Sequence, residues 1–279
     1  MSRFINGRKP AYGRICGFLI IMLLLIGAVG YAVRLKKIYS GEIIANIPDP
    51  EKYSVMGVDV SRYQGKIDWP VIASQNVTFA FIKATEGSSH QDPCFAENWQ
   101  EVRKTSIYAG AYHFFSFESS GVTQAQNFIQ TVGEMSGQLP PVVDLEFYGD
   151  YVNTPLSKKE TRQILDDLLK TLEEYYHVKP IIYTTAKAWY SYILGGGYGD
   201  YPLWMRNTYQ EPFFVDWAFW QYSDQGKLDG YDGIQKDHTE MYIDLNVYHA
   251  SLEEFRKEFS LPEQPGTTDR NRDTEEIST

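Results

Sequence analysis

Two carboxylates close the short segment Leu139-Pro140-Pro141-Val142-Val143-Asp144-Leu145-Glu146. Its apolar lead-in, Val142-Val143, predicts a short buried strand, and in a strand residues two apart point to one face. Asp144 and Glu146 then share a face, with Cα atoms roughly 6.5 Å apart. Carboxylates held that close do not ionise independently, so one of them takes a raised pKa. A glycosidase needs such a pair, one group to donate a proton and one to stabilise positive charge. An isolated D-x-E more often caps a loop at a strand end. The reading therefore turns on which other acids the chain brings to the same place.

Strand-like and helix-like segments alternate from residue 54 onward, the pattern of βα units around a parallel sheet. Strands are expected at residues 55–60, 78–83, 108–115, 142–146 and 180–184. Helices are expected between them at 69–74, 95–104, 123–135, 158–176 and 186–193. The longest, 158–176, has Ser157 as N-cap and Glu160 completing a capping box. Its Ile164, Leu165, Leu168, Leu169 and Leu172 fall on one face. The last strands, 202–205, 217–221 and 241–245, are separated by turns and loops alone. Five βα units followed by three β units close as an α/β fold, an irregular TIM-like (β/α)5(β)3 barrel of eight strands.

Barrels of parallel strands carry their active sites at the C-terminal strand ends. Polar groups gather there: Asp59 after Gly57-Val58, Glu86 after Lys83-Ala84-Thr85, Tyr112-His113, Asp144 and Glu146, Tyr183, Trp204, Gln221-Tyr222 and Asp244. The first and eighth strands become neighbours on closure, so Asp59 and Asp244 are expected side by side. Each acid alone has a dull reading as a loop anchor or a turn cap. Four of them at one mouth are costly unless they serve chemistry or bind a metal. Tyr112, Tyr183, Trp204 and Tyr222 are the candidate stacking floors for a sugar, although most aromatic residues are expected in the core.

The 279 residues carry a formal net charge of −10, which argues against a nucleic-acid binder. Cys16 and Cys94 are an improbable disulfide, no Cys/His spacing resembles a zinc site, and Cys94 is expected as a small buried hydrophobe. Residues 1–15 are basic, with Arg3, Arg8, Lys9 and Arg14 and no acid. Residues 16–33 then run apolar for about the length that spans a bilayer. Arg34, Lys36 and Lys37 follow, and the heavier N-terminal charge favours a cytoplasmic N-terminus. The favoured reading is an uncleaved signal-anchor with the globular part outside the cytoplasm, periplasmic or extracellular. A cleaved signal ending at Ala28-Val29-Gly30 is the rival, and would leave a secreted protein. Residues 34–53 read as a linker, 54–261 as the barrel domain and 262–279 as a disordered tail.

The blocks Gly57-Val58-Asp59-Val60-Ser61, Lys83-Ala84-Thr85-Glu86-Gly87, Ala111-Tyr112-His113-Phe114, Val143-Asp144-Leu145-Glu146, Trp220-Gln221-Tyr222 and Asp244-Leu245-Asn246 give a resemblance. Over roughly residues 54–258 the chain resembles glycoside hydrolase family 25, the Chalaropsis-type lysozymes or N-acetylmuramidases. The resemblance implies the same irregular barrel and cleavage of the β-1,4 bond between N-acetylmuramic acid and N-acetylglucosamine in peptidoglycan. It implies Glu146 as general acid, Asp144 as second carboxylate of the pair, and Asp59 and Asp244 as the other cleft acids. The segment 227–239 resembles the family only loosely.

That chemistry requires no metal or organic cofactor. The implied partners are peptidoglycan glycan strands and, through the N-terminal helix, a membrane, with no obligate protein partner inferred. Retaining hydrolysis assisted by the substrate's 2-acetamido group and inversion through a water both stay open. A membrane-tethered, non-catalytic peptidoglycan-binding barrel is the main alternative, opposed by the presence of all four acids. A wall-machinery scaffold is less economical. A chitinase-like enzyme lacks support because Gly137-Gln138-Leu139-Pro140-Pro141 precedes the D-x-E in place of a longer acidic motif.

Overall fold

The protein is described here from a computed structural model covering residues 12–39, 46–233 and 241–264. It divides into two units, Met1–Ile44 and Ala45–Thr279. In the first, helix α1 (Tyr12–Tyr39) contains a stretch, Cys16–Lys37, long and apolar enough to cross a membrane. The helix carries Lys36 and Lys37 in its last turn, where cations oppose the negative end of the helix dipole. Residues 34–39 are thus helical, not linker. Most of the expected basic segment, residues 1–11, lies outside the described residues, as do 40–45.

The second unit contains a closed barrel built from β1 (Met56–Val60), β2 (Phe79–Glu86), β4 (Tyr108–Phe114), β5 (Val142–Leu145), β6 (Ile181–Thr185), β7 (Leu203–Arg206), β8 (Phe219–Gly226) and β9 (Ile243–Tyr248). The two-residue strand β3 (His90–Gln91) pairs with the end of β2 as a hairpin. Strands β1, β2, β4, β5, β6, β7 and β8 run parallel around the barrel. Strand β9 is antiparallel to both β8 and β1. The lack of a crossover helix does not by itself set the direction, since β7 and β8 are joined without one and pair in parallel.

Helices α2 (Trp69–Ala73), α3 (Phe95–Val102), α4 (Gly121–Val132) and α5 (Lys158–Tyr176) follow the first four parallel strands. Ser157 and Glu160 form the expected capping box at the start of α5. After β6, α6 (Ala186–Ala188) widens into a π-helical turn over Trp189–Ile193, where the sequence pattern predicts one continuous helix. A final helix, α7 (Leu252–Glu258), begins with the capping box Ser251/Glu254 and is absent from the sequence expectation.

The strand alternation sorts the core into two layers. Val58, Val60, Ala80, Ile82, Ala109, Val143, Leu145, Ile182 and Met205 point outward and pack with the helices. Phe79, Phe81, Tyr108, Val142, Ile181, Trp204 and Phe219 fill the barrel interior and meet Phe255 and Phe259 at the C-terminal end of the unit. Two glycines make room for this aromatic filling. A Cβ on Gly57 would lie 2.3 Å from the Phe79 ring, and one on Gly110 would lie 2.5 Å from the Phe81 ring.

The folded unit is longer at both ends than residues 54–261. Tyr53 is buried, and its hydroxyl donates to Glu211 at 2.6 Å. Pro262 accepts a hydrogen bond from the Tyr108 hydroxyl at 2.8 Å, and Glu263 pairs with Arg256 at 3.4 Å. The remainder of the expected tail, residues 265–279, lies outside the described residues. Cys94 is half-buried at the start of α3, more open than expected, and neither Cys16 nor Cys94 is in a disulfide.

Candidate active site

The interior face that is aromatic at one end of the barrel turns polar at the other. On β1 the inward series is Gly57, Asp59; on β2 it is Phe79, Phe81, Lys83. On β5 it is Val142, Asp144 and then Glu146, one residue beyond the strand. On β7 it is Trp204, Arg206, and on β9 Asp244, Asn246. Period-two alternation thus places acids and cations over a hydrophobic floor. Antiparallel β9 supplies Asp244 from near its N-terminal end, so the acid reaches the same mouth as the C-terminal ends of the parallel strands.

Asp59, Asp144, Glu146 and Asp244 line one open cavity together with Tyr112, Tyr183, Trp204 and Gln221. A second opening continues past Glu146, Tyr183, Gln221 and Asp244 to Arg206 and Asp224. Asp59 and Asp244 are direct cross-strand partners, as expected from barrel closure.

A hydrogen-bonded frame holds these acids. Gln221 Nε2 donates to Asp59 Oδ2 at 2.8 Å and to Asp244 Oδ2 at 3.3 Å. Asn246 Nδ2 donates to the same Asp59 oxygen at 2.7 Å. The oxygen of each amide is claimed by an aromatic donor: Tyr183 OH reaches Gln221 Oε1 at 2.9 Å and Trp204 Nε1 reaches Asn246 Oδ1 at 2.8 Å. Each amide is therefore turned with its NH2 toward the acids. Gln221 and Asn246 stand inside the sequence blocks quoted above, yet their spacing alone carries no sign of this role.

Two cations temper the acidic mouth. Lys83 Nζ pairs with Glu86 at 2.8 Å and sits 4.6 Å from the centre of the Phe114 ring. Arg206 Nη2 pairs with Asp224 at 2.7 Å. Burial pushes the Asp144 carboxyl well above the usual carboxylate range, and the charge of Glu146 adds to the effect. Glu146 is also raised, first by burial and then by Asp59, against the pull of Arg206 and Lys83. Asp59 is raised by burial despite the amide donors of Asn246 and Gln221. Asp144 Oδ1 is buried without a hydrogen-bond partner, a polar atom poised for a donor brought by a ligand.

The four expected acids are thus brought together, and three of the four expected aromatic residues join them. Tyr112 is half-buried on the cavity wall. Tyr183 and Trp204 are buried, and Trp204 stacks on Phe81 with ring centroids 4.5 Å apart, so its ring belongs to the base of the cavity. Tyr222 is the exception. It follows inward-facing Gln221, packs edge-on to Trp220, and is not among the lining residues of either opening. Tyr63 and Phe114, which the sequence did not single out, line the cavity instead.

His113 points outward from β4 and is fully buried, with Nδ1 at 2.7 Å from Thr85 Oγ1 and Nε2 at 3.0 Å from Gln124 Oε1. Burial lowers its pKa to about 4. In the segment 227–239, Gly230 accepts from the Asp68 amide at 2.7 Å and Tyr231 bridges to Ile67. Lys236, Asp237 and His238 lie outside the described residues. Among the described residues, no group of His, Cys, Asp and Glu is arranged to hold a metal ion.

A family profile described as glycosyl hydrolases family 25 matches residues 58–231. The Escherichia coli strain K12 protein YegX, described as uncharacterized, is 40% identical over 215 residues, covering 74% of each chain. Lysozyme M1 of Streptomyces globisporus is 34% identical over 216 residues, covering 71% of this chain and 68% of that one. The structure of a family 25 glycosyl hydrolase from Bacillus anthracis matches with a TM-score of 0.70 at 42% identity, covering 77% of this chain and 97% of that one.

Proposed function

Because the chain belongs to glycosyl hydrolases family 25 and is a glycoside hydrolase, we propose that it is a lysozyme-type muramidase acting on peptidoglycan. It hydrolyses the β-1,4 bond between N-acetylmuramic acid and N-acetylglucosamine, with Glu146 as general acid and Asp144 assisting. The observation that carries this reading is the meeting of Asp59, Asp144, Glu146 and Asp244 in one open cavity. The likeness to lysozyme M1 supports peptidoglycan as the substrate.

Glu146, its proton affinity raised by burial, gives its proton to the leaving glycosidic oxygen as the C1–O bond breaks. Asp144 positions the 2-acetamido group, and its buried, unpartnered Oδ1 is suited to accept the acetamido N–H. The acetamido carbonyl oxygen then attacks C1. Water opens the cyclic intermediate at C1 and returns a proton to Glu146, so configuration is retained. Asp59 and Asp244 add negative charge beside the oxocarbenium-like state. Tyr112 is the best-placed wall for a sugar ring, while Tyr183 and Trp204 support binding through Gln221 and Asn246.

The barrel domain lies outside the cytoplasm, where peptidoglycan is found, and α1 serves as its uncleaved membrane anchor. The apolar length of Cys16–Lys37 supports that anchor. Mass spectrometry of products from defined peptidoglycan tests the activity. Fragments with N-acetylmuramic acid at the reducing end are expected. Intact glycan strands would identify a non-catalytic binding barrel, and N-acetylglucosamine at the reducing end would change the bond assignment.

A further inference from the structure

The groove beyond Glu146 holds a cation that general acid catalysis leaves without a task. Trp204 and Arg206 share the inward face of β7, Trp204 at the cavity base and Arg206 one step nearer the mouth. Among the described residues lining that half of the groove, Arg206 is the one cation. Its side chain is 33% exposed, against 13% for Lys83 at the other half. Lys83 is enclosed between Glu86 and the Phe114 ring. Arg206 has five N–H donors, and among the described residues one of them, on Nη2, finds an acceptor, Asp224 Oδ2.

A guanidinium presents a planar fork that matches a carboxylate with two parallel hydrogen bonds. A neutral sugar hydroxyl uses that geometry poorly. An anionic polymer approaching a mouth with four acids also needs a local positive charge to offset repulsion. Muramic acid bears a lactyl ether whose carboxyl is either free or amide-linked to a peptide that has carboxyls of its own. We propose that Arg206 is a specificity residue that pairs with a carboxylate of the substrate, with Asp224 holding the guanidinium in place. The inference rests on the peptidoglycan reading and adds the group by which one glycan is told from another.

Three substrates separate the sources: bare glycan strands with free lactyl carboxyls, the same strands with those carboxyls converted to methylamides, and strands with the peptides attached. The full chain, purified in detergent, is compared with Arg206→Gln and Arg206→Lys by kcat/KM. The native protein is expected to favour a carboxylate-bearing strand over the methylamide by about tenfold or more, mainly through KM, as for a charge-assisted contact. Arg206→Gln is expected to abolish that ratio, and Arg206→Lys, which keeps the charge without the fork, to leave part of it. A lost preference for bare strands identifies the lactyl carboxyl, and a lost preference for peptide-bearing strands identifies the peptide. An equal fall on all three substrates, or no preference in the native protein, overturns the role of Arg206 while leaving the hydrolase reading intact. Failure of the native protein to cut any strand overturns both.

Discussion

Asp59 on β1 and Asp244 on β9 face each other across the seam that closes the barrel, and one amide, Gln221 Nε2, donates to both at 2.8 and 3.3 Å. Adjacent like charges over an apolar floor are unfavourable unless donors or a shared proton offset them. Burial raises Asp59 toward its protonated form, and the amides of Asn246 and Gln221 oppose that. The seam is therefore both the point of barrel closure and the place where charge is set for the cleft. Its geometry depends on Tyr183, which donates to the oxygen of Gln221.

Removing the Tyr183 hydroxyl tests that dependence. In Tyr183→Phe, Gln221 Oε1 loses its donor and the amide is free to turn its oxygen toward Asp59. A stability loss of about 1 kcal/mol is expected, as for one net hydrogen bond, with a several-fold fall in kcat. Thermal unfolding and single-substrate kinetics measure the two effects. A variant with native melting temperature and native kcat would show that Gln221 needs no orienting partner.

Glu146→Gln is expected to lower the wall-lytic rate by at least about 10²-fold, the low end of general acid catalysis, while folding normally. The amide keeps the shape of the side chain but has no proton to give the leaving oxygen. Turbidity loss of purified walls, read beside the circular dichroism melt, separates catalysis from folding. Retained lysis in a folded variant removes the acid assignment.

The carboxylates also make a stability prediction. Asp144 is raised well above 3.8 and Glu146 is raised above 4.5 in the folded chain, mainly by burial. The folded state therefore holds protons that the unfolded state releases, and their stabilisation is complete below about pH 4 and fades as pH rises through the folded values. Asp144→Asn removes that penalty. Its melting temperature is expected to exceed the native one at pH 8, with the gap closing toward pH 4. A gap that widens on acidification would mean that Asp144 is stabilised as the anion.

How much of this was readable in the chain follows from the range of each interaction. The D-x-E parity, the capping box of α5 and the pairing of Asp59 with Asp244 depend on local period or on barrel closure, and the sequence carries both. The direction of β9 is not written in its own alternation. Nor does the want of a crossover helix reveal it, since β7 and β8 are joined without one and pair in parallel. Tyr222 stands beside Gln221 in the sequence, but neighbours on a strand face opposite ways. Arg206, Gln221 and Asn246 acquire their roles from partners 18 to 187 positions away, a separation that pattern reading does not cross.

His113, expected at the mouth from its place on the strand, lies behind it and bridges Thr85 and Gln124. Its pKa falls from 6.5 to about 4 because burial penalises the charged ring. The unfolded chain then takes up a proton before the folded one, so stability is lost as pH drops from about 6.5 toward 4, by about 3 kcal/mol in full. His113→Gln is expected to flatten that acid limb in thermal melts. An unchanged limb would assign the acid sensitivity to other groups.

The last prediction concerns the N-terminal unit. At 1.5 Å per residue, the 22 residues of Cys16–Lys37 reach about 33 Å, enough to cross the hydrocarbon core of a bilayer. An anchor and a cleaved signal differ in what remains on the mature chain. If the helix is retained, the full chain sediments with membranes through a high-salt wash and is released by detergent, because the contact is apolar and salt does not screen it. A variant lacking residues 1–44 then stays in the supernatant with its glycan-cleaving rate intact, since all the cavity-lining residues belong to the second unit. A mature N-terminus at about Tyr31, with lytic activity in the soluble fraction, would make the same helix a signal removed on export.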